Sequence, residues 1–121
     1  MKLKYMYCKT ELGKLEKTNN KTYVYNSNVL NEQELLNTNE GFKASNYSLW
    51  NSSDMESTYL FGEFSQLIYY LSKKELIIKS AKITEKDSEW EKLVKFAKLN
   101  YSTRGFYVQV ADIEKKVRKT P

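Results

Sequence analysis

The chain has 121 residues, enough for one domain, with 20 Lys+Arg against 15 Asp+Glu and a formal charge of +5. It contains no histidine, one cysteine (Cys8) and one proline (Pro121). These counts exclude Ser-His-Asp and Cys-His triads, an internal disulfide, and a structural zinc site, which needs four Cys or His ligands. No apolar run approaches the roughly 18 residues of a membrane span, and the first residues (Met-Lys-Leu-Lys-Tyr) lack a signal-peptide apolar region, so a soluble, cytoplasmic protein is expected.

Residues 2–8 alternate, with Leu3, Tyr5 and Tyr7 on one side, the period of a half-buried strand. A turn at Lys9-Thr10 leads into a second strand over 11–17. Gly13 inside it marks a bulge or a close approach of backbone. The polar run 18–21 reads as a turn, and the β-branched and aromatic residues 22–25 as a third strand, which completes an antiparallel meander. Asn31 with Glu34 forms a capping-box pattern that opens a helix over 31–37. Residues 38–58 are rich in Asn, Ser, Thr and Gly and read as loop, with a short extended piece at 47–50.

The clearest helical signal covers 61–71, where Phe64, Leu67, Ile68 and Leu71 make one stripe. Ser72 with Glu75 opens a second helix over 73–82, with Leu76, Ile77 and Ile78 as core candidates. Thr84 or Ser88 caps a third over 88–99, with Glu91 completing the box and Trp90, Leu93, Val94 and Ala97 as its apolar face. Residues 100–104 break that helix, and 106–110 form a closing strand. The expected architecture is a small α+β domain over 1–110: an N-terminal antiparallel meander, three main helices and a returning C-terminal strand. Residues 111–121 then form a charged helix or tail.

The sequence offers little for catalysis. Its 4 glycines are scattered, so no phosphate-cradling loop exists. The acid pairs Glu89/Glu91 and Asp54/Glu56 fall on a capping turn and in a polar stretch, where solvated carboxylates are the rule. Cys8 reads as a small buried hydrophobe. No enzyme, cofactor or metal is expected. The charge excess lies in the second half: residues 61–121 carry 13 Lys+Arg against 8 acids, whereas residues 1–60 are balanced. Lys92, Lys95 and Lys98, with Lys115, Lys116, Arg118 and Lys119, make a candidate basic surface for nucleic acid. With only 2 Arg in the chain, the plainer reading is a solvated helix face. Trp50, in a long polar stretch, is either a core plug or an exposed anchor for a partner's pocket, and Ser45, Ser48, Ser52 and Ser53 around it read as loop filler.

The order of these pieces resembles the small N-terminal subdomain of HipA-type toxin kinases, the Ser/Thr kinases of bacterial toxin–antitoxin operons. The resemblance runs through Leu3-Lys4-Tyr5-Met6-Tyr7, the "hydrophobic-Gly-x-Leu" strand Leu12-Gly13-Lys14-Leu15, and Tyr23-Val24-Tyr25. It continues through Tyr47-Ser48-Leu49-Trp50, the aromatic helix Phe61-Gly62-Glu63-Phe64-Ser65-Gln66-Leu67-Ile68, and the later helix and Gly-containing strand at 88–97 and 105–110. There are departures: the family's Asn-Gly turn is Lys9-Thr10 here, and its Leu-Pro after the aromatic helix is Tyr69-Tyr70. In the family the kinase Asp and Asn residues and the ATP loop follow this subdomain. The resemblance therefore implies a stand-alone counterpart, similar to the small component of split, three-gene HipBST-type systems. Such a protein is an antitoxin-like subunit that binds and restrains a separate kinase chain, with a DNA-binding product of the same operon as a further partner and no membrane. Tyr47, Ser48, Leu49 and Trp50 are its implied partner-binding residues. The alternative is a phage- or mobile-element-encoded inhibitor, or a nucleic-acid-binding module using the basic second half.

Overall fold

A computed structural model describes residues 1–18, 21–43 and 54–111. Three strands open the chain, β1 (Lys2–Tyr7), β2 (Thr10–Lys17) and β3 (Tyr23–Ser27). Two helices follow, α1 (Val29–Thr38) and the single turn α2 (Glu40–Lys43), then a short strand β4 (Asp54–Ser57). Helices α3 (Gly62–Ser72), α4 (Glu75–Ala81) and α5 (Glu89–Leu99) lead to the last strand, β5 (Phe106–Val110). All strands join one sheet of order β4-β3-β2-β1-β5, each neighbouring pair antiparallel. The fold is a small α+β domain, as the alternation and helical stripes require.

The period of two dictates which face is buried. One rung crosses all five strands as Met55, Tyr25, Leu15, Leu3 and Val110, and every member is buried or half-buried. Helices cover this face. Phe64 of α3 lies 4.7 Å from the Tyr5 ring and 5.8 Å from that of Tyr25. Phe42 of α2 meets Tyr7 at 5.3 Å, and Trp90 of α5 meets Tyr23 at 6.3 Å. The tilted and edge-on ring geometries are those that aromatic quadrupoles prefer. Burying each such ring contributes on the order of 2–3 kcal/mol. A low aliphatic content is thus offset by stacked aromatics.

The meander turns on Gly13. Tyr5 pairs with Gly13 but Met6 pairs with Glu11, so Leu12 is the extra residue of a bulge. Leu12 is buried, and its carbonyl accepts the Asn28 amide at 2.7 Å. A Cβ at Gly13 would overlap the ring end of Tyr25 and sit 2.6 Å from the Asn26 carbonyl oxygen. Both readings of this glycine, bulge and close approach, hold together.

Local details depart from the sequence expectation in several places. The first hairpin turns at Cys8-Lys9, not Lys9-Thr10. Cys8 is exposed rather than buried, because this two-residue turn, with Cys8 at φ 54°, lifts it off the strand face. The cap of α1 is Asn28, whose side chain accepts the Asn31 amide at 3.2 Å. Asn31 lies inside the helix, and its side-chain amide donates to the Glu11 carbonyl at 2.9 Å. The 38–58 stretch contains α2 and β4. Each is short and carries a single apolar anchor, Phe42 or Met55, too little for a periodic signal. Ser72 ends α3 instead of capping α4, which starts from Lys74 without a side-chain cap. Three consecutive residues cannot share one helix face, so Leu76 points outward at 79 % exposure while Ile77 takes the core position and Ile78 is half-buried. In α5 the Ser88–Glu91 capping box is present in both directions, at 3.2 and 3.1 Å, and Phe96 joins the expected core residues Leu93 and Ala97. Residues 112–121, read as a helix or tail, lie outside the described residues.

Candidate interaction surface

The candidate partner-binding residues Tyr47, Ser48, Leu49 and Trp50 lie outside the described residues, as do Lys115, Lys116, Arg118 and Lys119. The structure does place the remaining members of the basic surface. Lys92 and Lys95 are half-buried and Lys98 is exposed. Lys95 is tied down: its ammonium donates to the Lys82 carbonyl and to Asp87 Oδ2, both at 2.8 Å. The Asp87 carboxylate also accepts the Thr84 amide at 2.8 Å. The Lys95 hydrogen bond, then the Thr84 amide, hold the Asp87 carboxyl below the usual carboxylate range. Lys95 therefore clasps the α4–α5 connection.

The acid pairs are dispersed. Glu89 and Glu91 sit in the first turn of α5, Glu91 serving the cap and Glu89 accepting from Ser65 at 3.4 Å. Glu56 is exposed on β4, where Asp54 pairs with Asn26 in register. No group of three or more His, Cys, Asp or Glu that could hold a metal ion occurs among the described residues. A buried carboxylate does occur: Glu32 of α1 is 1 % exposed and accepts the Ser27 hydroxyl, which joins the start of α1 to the end of β3. An open depression of about 450 Å³ borders this point, lined by Gly13, Lys14, Ser27 and Leu30 among others. It is a shallow seam between β2, β3 and α1.

A cluster that the periodicity does not announce gathers at the C-terminal end of α3. Tyr69 is 58 % exposed and Tyr70 38 %, their rings edge to face at 5.4 Å. The Lys73 ammonium stands 4.3 Å from the Tyr69 centroid and 5.6 Å from that of Tyr70. The Arg104 guanidinium reaches the same Tyr70 ring at 5.6 Å from the turn before β5. The core stripe Phe64, Leu67, Ile68 and Leu71 leaves 69 and 70 on the outer side, so the sequence carries half of the signal. The convergence of Arg104, 34 positions away, depends on tertiary structure alone.

No helix among the described residues is long and apolar enough to cross a membrane. No family model, curated protein or solved structure matches the chain.

Proposed function

We propose that this chain is a non-catalytic, antitoxin-like subunit that binds and restrains a separate HipA-like Ser/Thr kinase. What carries the reading is the order of motifs and elements along the chain. The meander comes first, with its Leu12-Gly13-Lys14-Leu15 bulge, then the aromatic helix α3 laid over it, then α5 and a strand preceded by Gly105 that returns beside β1. That order is the one described above for the N-terminal subdomain of the kinase family. The sequence adds a second support: the absence of histidine and of a glycine-rich phosphate loop agrees with a subunit whose chemistry is done by a partner.

The test is to co-express the full chain with the kinase-like protein encoded beside it and to measure co-purification and kinase autophosphorylation. A stable complex with slowed autophosphorylation is the expected result. The reading falls if no kinase-like neighbour is encoded, or if the neighbour neither binds nor changes its rate. Within that experiment, Trp50→Ala is expected to abolish binding at an unchanged melting temperature; a lowered melting temperature assigns Trp50 to the core instead.

A further inference from the structure

We propose that Tyr69, Tyr70, Lys73 and Arg104 form an anchor for a carboxylate-bearing segment of the protein partner. The inference rests on the binding-subunit reading above and adds to it a place on this chain and a chemistry on the other.

Part of the cluster is ordinary. A Tyr69–Lys73 pair is an i,i+4 contact that any helix supplies, and a cation at a helix C-terminus suits the dipole. Arg104 is not explained that way. It occupies a two-residue turn with Gly105, at φ 52° and 89°, closed by Thr103–Phe106 hydrogen bonds of 2.9 Å in each direction. Such a turn favours Asn or Gly at its first position, because a Cβ is disfavoured at positive φ. An arginine there is held against local preference, and its guanidinium is delivered to the Tyr70 ring.

Charge decides the occupant. The ion pairs among the described residues include Lys43–Glu40, Lys79–Glu75 and Lys95–Asp87. Lys73 and Arg104 have no carboxylate partner among them, although both stand 5.6 Å from one ring. Two cations without a carboxylate partner among the described residues, set over exposed tyrosines, complement an acidic protein surface: a carboxylate can take Arg104 in bidentate fashion while the rings accept its apolar stem. Tyrosine and arginine are, with tryptophan, the side chains enriched among those that carry interface energy. Single-stranded nucleic acid fits less well. The two rings stand edge to face at 67°, and Lys73 lies over both, so they offer no parallel platform for successive bases.

The full chain would be titrated calorimetrically against the kinase-like partner that the proposed function requires, using wild type, Tyr70→Ala, Lys73→Glu and Arg104→Asn; the lack of any such partner overturns both readings. Each variant is expected to bind at least about tenfold more weakly, the scale of an interface hot spot. Arg104→Asn is expected to melt at the wild-type temperature or slightly above it, since Asn suits the turn. Wild-type affinity in all three variants overturns the anchor and leaves the binding-subunit reading intact. No binding by the wild type overturns both. Weakened binding that tracks a lowered melting temperature assigns the cluster to the fold and overturns the anchor. Tight wild-type binding to a twenty-nucleotide oligo-dT at low salt, lost in Arg104→Asn, overturns it in favour of nucleic acid.

Discussion

Gly13 shows how one residue without a side chain can set the layout of a sheet. Its missing Cβ leaves room for the end of the Tyr25 ring and for the Asn26 carbonyl, while the bulge beside it turns Leu12 into the core. The clash at an alanine would involve backbone as well as ring, so side-chain rotation cannot relieve all of it. Gly13→Ala is expected to destabilise the fold by about 1–3 kcal/mol, the range for overpacking a tight site. Chemical denaturation would measure this. Tyr25→Phe in the same chain should recover part of the loss by removing the hydroxyl while the Asn26 contact remains. A shift below about 0.5 kcal/mol for the single variant, the scatter of a neutral surface change, would show that the sheet absorbs the methyl freely.

Among the elements, the α4–α5 connection depends most on charge. Asp87 binds the Thr84 amide and the Lys95 ammonium, and its side chain is 8 % exposed against 32 % for Lys95. These bonds stabilise the charged carboxylate and depress its folded-state pKa below the unfolded value. The stability it contributes is present above the unfolded pKa, about 4, and is lost as pH falls through the lower folded value. Asp87→Asn is therefore expected to narrow the difference between denaturation midpoints measured at pH 7 and pH 3; an unchanged difference would separate this clasp from acid sensitivity. The same region marks how far sequence reading reaches. The Ser88–Glu91 box was legible because its signal is local; of the two caps the sequence left open, Thr84 and Ser88, the box with Glu91 forms on Ser88. The similar Ser72–Glu75 pattern misled because α3 continues through Ser72, carried by the burial of Leu71 just before it. The cap expected at Asn31 falls instead on Asn28, whose amide is held by the bulge carbonyl of Leu12, a contact no local pattern reveals. Strand alternation and helical stripes are short-range physics and could be read. Cap choice, the edge strand β4 and the Arg104–Tyr70 contact depend on long-range packing and could not.

For the whole molecule, the helices and the sheet meet through a core in which buried tyrosines and phenylalanines stand among the aliphatic side chains. Tyr5 is fully enclosed on β1, the strand between β2 and β5, with its ring against Phe64, Phe106 and Tyr25. Burial, then the negative charge of Glu63, then Tyr25 push its phenol well above the ordinary tyrosine range. Tyr23 is raised in the same direction by burial and then Glu89. A raised phenol pKa means that the folded state holds its proton after the unfolded chain has released it. The corresponding stability is complete below the unfolded value, about 10, and declines as pH rises from there toward the folded pKa. The domain is thus expected to lose stability on the alkaline side through its own core, with denaturation midpoints falling between pH 9 and pH 11. Tyr5→Phe keeps the ring and removes the ionisable group, so its midpoint should fall less over the same interval even if the variant is weaker at neutral pH. An equal fall in both proteins would place the alkaline weakness elsewhere, and the helices' attachment to the sheet would then owe nothing to the protonated state of Tyr5.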